Sequence, residues 1–142
     1  MRKQRGFTLI ELLVVIAIIG LLSTLAVVAL NSARLKARDA KRVADVKQIQ
    51  TGLELYFNDR TAYPVSTGTL GTSSFACLGT GGFGTAGCAA PYMGLVPSNP
   101  SPNGAVYVFT GASASYSISF NLEGTTGGLS SGAHTASQDG IN

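Results

Sequence analysis

Residues 7–30 read FTLIELLVVIAIIGLLSTLAVVAL, and the fold turns on how this stretch is understood. One ionisable side chain, Glu11, stands near its start, and the run from Leu12 to Leu30 carries no charge. At 1.5 Å per residue that run makes roughly 28 Å of helix, about the hydrocarbon thickness of a bilayer. Val14, Val15, Ile16, Ile18 and Ile19 are β-branched, but in lipid the backbone must satisfy its own hydrogen bonds, so a single segment spans only as helix. The expectation is a transmembrane helix. A cleaved secretory signal is the competing reading, with Arg2, Lys3 and Arg5 as its basic start and Val27-x-Ala29 as a small-residue cut site. The apolar run is too long for that, and a carboxylate sits near its beginning. Charge does not orient the span, because Arg34, Lys36, Arg38, Lys41 and Arg42 follow it and outnumber the three bases before it.

Outward from this stretch the composition divides. All 10 Lys and Arg of the 142-residue chain fall within residues 1–60, with 5 of the 7 acids. Residues 61–142 hold only Glu123 and Asp139 as charges, with 15 Gly, 12 Ser and 10 Thr, so a basic nucleic-acid-binding globule is a poor description. The chain is 45% hydrophobic and sparsely charged, so it is not disordered as a whole. One His, no Trp and two Cys make a thin inventory for catalysis or metal binding, and no nucleophile–base pair is visible.

The opening Met-Arg-Lys-Gln-Arg-Gly followed by Phe-Thr-Leu-Ile-Glu-Leu-Leu resembles a type IV prepilin, and the type II secretion pseudopilins share the signature. A short basic leader ends in Gly6, Phe7 follows, and Glu11 stands fifth after the cut. The resemblance implies cleavage at Gly6–Phe7 by a prepilin peptidase on the cytoplasmic side, N-methylation of Phe7, and an assembly role for Glu11. It thereby orients the N-terminus inward. It also implies copies of the chain itself in a helical filament, inner-membrane assembly machinery and membrane lipid as partners. Many relatives have Pro near position 28, where the helix melts in the filament; Val28 stands here, so a break would centre on Gly20 or on Ser23-Thr24.

Val43, Val46, Ile49, Leu53 and Tyr56 recur at helical spacing, and no Pro interrupts residues 7–63. A continuous helix of some 50 residues is expected, ending near Asn58-Asp59 and Tyr63-Pro64. Arg34, Arg38 and Arg42 fall at i, i+4 and i+8. They read as a solvated stripe offset by Lys41–Asp45 and Arg42–Asp45 pairs, or as a contact for lipid phosphates or DNA. Absent aromatics leave base stacking unsupported.

Residues 65–104, rich in Gly, Ser, Thr and Pro, read as connecting loop. Within them CLGTGGFGTAGC, Cys77 to Cys88, lacks the spacing and extra ligands of a metal site, so an envelope disulfide is expected. Gly79, Gly81, Gly82 and Gly84 lack the following Lys and helix of a phosphate loop. Val106–Phe109 and the alternating Tyr116–Leu122 predict an antiparallel hairpin around Gly111, with one further strand near His134. His134 reads as an exposed or edge residue. Major pseudopilins often bind calcium in this region through acidic side chains, but Glu123 and Asp139 are too few to carry that site over.

The sequence thus predicts an α+β, pilin-like fold, divided into a leader (1–6), a transmembrane and filament-core helix (7–30), an amphipathic extension (31–63) and a small β-rich head (64–142). The function expected is a non-catalytic filament subunit of a pilus or pseudopilus in the inner membrane, its head outside the cytoplasm, with no cofactor or metal. A DNA-uptake competence pseudopilin and a non-polymerising single-pass membrane protein with a binding head are the alternatives.

Overall fold

A computed structural model describes residues 6–142; Arg2, Lys3, Arg5 and the remainder of the leader before Gly6 lie outside the described residues. Helix α1 runs Leu9–Arg60, 52 residues without interruption. Thr61 closes it in the left-handed region (φ 56°), its amide donating to the Phe57 carbonyl at 2.7 Å. The chain divides into two compact units, the first extending to Leu35 and the second comprising Lys36–Asn142.

In the first unit, every large apolar side chain from Phe7 to Leu30 is exposed. Such a surface is far larger than a soluble monomer tolerates, and it requires lipid or protein to cover it. The apolar window in α1 is long enough to cross a membrane.

The second unit has its own core. Val46, Ile49 and Leu53 of α1 are fully buried, with Val43 and Tyr56 packed at the margin, as the periodicity predicts. Against them lies a five-stranded antiparallel sheet in the order β1 (Thr67–Thr69), β4 (Val108–Ala112), β5 (Ser115–Leu122), β6 (Gly132–Ser137), β7 (Gly140–Ile141). Tyr116, Ile118, Phe120 and Leu122 alternate inward along β5, so the period-2 pattern does set the buried face. The hairpin is tighter than expected. Ala112 pairs with Ser115, leaving Ser113-Ala114 as the turn and placing Gly111 inside β4. Glycine is required there because a Cβ would fall on the Pro64 carbonyl and the Phe109 ring. The strand expected near His134 is β6, but it is an inner strand, with His134 opposite Phe120.

Residues 65–104 are not the simple connector that their composition suggests. They supply β1, a 3-10 turn at Ser73–Phe75, and a separate hairpin of β2 (Cys77–Gly79) and β3 (Gly82–Gly84). Leu70, Leu78, Met93 and Val96 from this segment join the core. Strands this short cannot show alternation, and glycine is compatible with a strand once neighbours supply the pairing. Here Leu78 exchanges backbone hydrogen bonds with Met93, and a Cys77–Cys88 bridge (Cα–Cα 6.0 Å) ties β2 to the following loop.

Candidate functional site

Two sets of residues bear on function, one in each unit. At the start of the first, a Cβ built on Gly6 would meet no atom within 4 Å, and Phe7 is 83% exposed. The Gly6–Phe7 bond is therefore presented without steric cover among the described residues. Glu11 occupies the third position of α1 and turns back on its own helix end. Its carboxylate accepts from the Thr8 amide at 2.8 Å and the Thr8 hydroxyl at 2.6 Å, while the Glu11 amide donates to the Thr8 hydroxyl at 3.3 Å. This is a reciprocal capping box, which satisfies amides that a helix start leaves open. The signal was in the sequence as Thr-x-x-Glu directly before an apolar run, and the reading of Glu11 as an assembly residue passed over it.

In the second unit the basic stripe is corrected. Arg42 does not face solvent: it is fully buried, as is Asp39. Its guanidinium donates to Asp39 at 2.6 Å, to Glu123 at 2.7 Å and to the Asn99 side chain at 2.7 Å, and it also reaches the Asn103 and Pro100 carbonyls. Arg38 binds Glu123 in a two-pronged pair at 2.8 and 2.7 Å. Asp39 in turn accepts from the Glu123 and Gly124 amides. Gly104 must be glycine, since its φ is +98° and a Cβ would stand 2.7 Å from the Arg42 guanidinium. The Arg38 guanidinium, aided by Arg42 and Asn103, pushes the Glu123 carboxyl down to about 2. A buried guanidinium is tolerated only when its donors are matched in this way.

The expected Arg42–Asp45 pair is absent. Asp45 accepts instead from the Tyr107 hydroxyl at 3.3 Å, and burial pushes its carboxyl up against the opposing pull of Lys41 and that hydrogen bond. A solvated, lipid-facing or DNA-facing stripe cannot include Arg42, and Arg38 is spent on Glu123. One clue was available: Glu123 stands in a stretch, residues 61–142, that holds no Lys or Arg, so its partner had to come from α1.

The one histidine closes on local partners. His134 has one ring nitrogen 3.0 Å from the Asn142 carbonyl and the other 2.8 Å from that of Ser130. Among the described residues no three of His, Cys, Asp and Glu gather as a metal site would require.

The prokaryotic N-terminal methylation motif matches residues 1–27. The chain is also 41% identical over 70 residues to a type II secretion system core protein G of Dickeya chrysanthemi, covering 49% of this chain and 46% of that one. The proteins of the same name from Escherichia coli K12 and Vibrio cholerae are 44% and 39% identical over 64 and 66 residues. Those matches cover 45% and 46% of this chain and 44% and 45% of the relatives. Over its N-terminal half the chain is similar to type II secretion pseudopilins, and it opens on the prepilin-type methylation motif. The matched region spans somewhat less than half the length of these curated relatives. No solved structure matches the chain.

Proposed function

We propose that this pseudopilin-family chain is a structural subunit of a type II secretion pseudopilus or type IV pilus, cut at Gly6–Phe7, N-methylated on Phe7 and polymerised through its N-terminal helix. The observation that carries the reading is the methylation motif running directly into a helix whose large apolar side chains are all uncovered up to Leu30. Lipid covers them before assembly, and neighbouring copies cover them in the filament. The chain is stored as a single-pass inner-membrane protein with its leader cytoplasmic and residues 64–142 outside as a head. Its work is mechanical, with prepilin peptidase and the inner-membrane assembly machinery as partners, and it is not an enzyme.

Glu11 directs assembly in this reading. Cleavage creates an amino group at Phe7, and the terminal ammonium of a neighbour pairs with the Glu11 carboxylate, which then exchanges its contact with Thr8 for an opposite charge. An unpaired charge in a dry core is strongly penalised, so the pair fixes the stagger between copies. Intact mass of membrane-extracted protein tests the processing: residues 1–6 are lost and one methyl is gained. Glu11→Val then leaves insertion and processing intact and abolishes or shortens filaments. A full-length unmodified chain, or normal filaments from the variant, overturns the corresponding step.

A further inference from the structure

Asn103-Gly104 is the one Asn-Gly step in the sequence, and both residues are exposed, in the loop that precedes β4. That loop is the rim of the Arg42 network. The Asn103 side-chain amide donates to Glu123 at 3.2 Å, and the Asn103 carbonyl accepts from the Arg42 guanidinium and from the Asn99 amide at 3.0 Å. The Gly104 carbonyl accepts from the same Asn99 amide at 3.1 Å. Gly104 cannot be exchanged, because of its φ of +98° and the guanidinium beside it. The Gly104 backbone amide, by contrast, donates to no acceptor among the described residues.

We propose that Asn103 is a site of spontaneous deamidation, with water as the only co-reactant, and that the change loosens the Arg42 network. The Gly104 nitrogen gives its proton to solvent base and attacks the carbonyl carbon of the Asn103 side chain. A succinimide ring closes, and the bond to the side-chain nitrogen breaks, that nitrogen leaving as ammonia with a proton from water. Water then opens the ring at one of its two carbonyls. One opening leaves an aspartate, and the other leaves an isoaspartate whose main chain runs through the former side chain. Each route consumes one water, releases one ammonia and adds one negative charge to the chain.

Glycine favours the attack, since no Cβ obstructs the approach and the backbone turns freely. Asn99, in the same loop, precedes Pro100, whose nitrogen carries no hydrogen and cannot close the ring. Asn31 and Asn58 lie within α1, and Asn121 is paired with Ala133 in the sheet, so regular backbone pairing holds the chain around them. Both products work against the network. Each loses the donor to Glu123, and the aspartate sets a second carboxylate against it. The isoaspartate also lengthens the main chain by one carbon between two residues that the network grips. The reactive pair is thus the one the network itself demands: an amide donor for Glu123 followed by a residue without a side chain.

The experiment ages the full chain in detergent at neutral and mildly alkaline pH, then digests it in heavy-oxygen water so that conversion during digestion is marked. Peptide mass mapping should show Asn103 gaining one mass unit, as two separable products, ahead of every other asparagine and faster at the higher pH. Asn103 left intact, or converted no faster than Asn99 or Asn58, overturns the site. Converted protein should unfold at lower denaturant. Asn103→Asp imposes one product at once, and losing a hydrogen bond to a charged partner lowers its folded-to-unfolded ratio by about tenfold or more. Asn103→Gln keeps an amide donor but closes the larger ring far more slowly, so ageing should leave its unfolding curve in place. Aged wild-type protein with unaltered unfolding, or an Asn103→Gln variant that weakens as fast, overturns the link to the network. If Asn103→Asp does not fold, the mass map and the aged wild type still decide.

Discussion

The two units meet the same difficulty, charge beside apolar surroundings, in opposite ways. Up to Leu35 the chain leaves its apolar surface uncovered, and the one acid there, Glu11, is satisfied only by its own helix start. From Lys36 onward the chain buries a core of its own, with Leu55, Val65, Leu95 and Val106 left outside it, and a guanidinium is sunk into it with its partners supplied internally. The first arrangement is open and becomes complete only with lipid or another copy. The second is closed. On the proposed reading, in which the first unit exchanges lipid for protein, a second unit that keeps its shape meanwhile gains from being self-sufficient, and the polar lock is part of that.

Breaking the lock has the largest expected effect. Arg42→Ala strands Asp39 in a fully buried position and frees Glu123 from one of its two guanidinium partners. Removing one partner of a buried ion pair costs about 3–5 kcal/mol. Denaturant unfolding of detergent-solubilised protein, followed by near-ultraviolet signals from the tyrosines of the second unit, should show that loss. Unchanged stability would mean the network is not what closes this unit.

Reducing the Cys77–Cys88 bridge comes next. The bridge closes a loop of about 12 residues, which by loop-closure entropy stabilises the fold by roughly 3 kcal/mol. Thiol labelling under denaturing conditions, with and without reductant, checks that the bond exists in envelope-derived protein. The same unfolding curve repeated after reduction checks its weight. The loss should be confined to the second unit, leaving helicity of the first unchanged.

Much of this was legible in the sequence, for reasons that differ by element. The long helix announces itself because Leu12–Leu30 is free of charge and Val46, Ile49 and Leu53 keep helical spacing. β5 is legible because Tyr116 to Leu122 alternates without a break. The β2–β3 hairpin is not, since its short strands are stabilised by pairing and by a covalent tie instead of side-chain pattern. Arg42 is only half legible locally: the i,i+3 rule fits Asp39, its true partner, as readily as Asp45, and its other partner, Glu123, lies beyond β5, far along the chain. The Gly6, Phe7 and Glu11 spacing was readable as a processing motif, while the Thr8–Glu11 cap is a second message written in the same few residues.

Acid sharpens the comparison further. The Glu123 carboxyl sits at about 2, below its ordinary 4.5, because Arg38 and then Arg42 bind its charged form. A folded-state value below the unfolded one gives stability that is complete above about pH 4.5 and is lost as pH falls toward 2. Asp45 opposes this, since burial raises its carboxyl and its protonation favours the folded form. Net stability of the second unit should therefore fall between pH 4.5 and 2, and Glu123→Gln should flatten that fall. An unaltered acid limb in the variant would assign it to other carboxylates.

The smallest effect expected belongs to the open unit. Thr8→Ala removes the hydroxyl that both donates to Glu11 and accepts from its amide, while the Thr8 amide can still reach the carboxylate. Losing an N-cap hydroxyl costs about 0.5–2 kcal/mol, and only the first turn bears it, because propagation beyond the nucleus is independent of the cap. Hydrogen exchange in micelles should quicken at the amides of Ile10 and Glu11 and remain unchanged past Val15. Unfolding of the second unit should not move, since the hydrogen bonds of the Thr8 hydroxyl stay within the first turn of α1. If exchange quickened along all of α1 instead, the helix would depend on its cap as the second unit depends on Arg42, and the contrast between an open and a closed unit would fail.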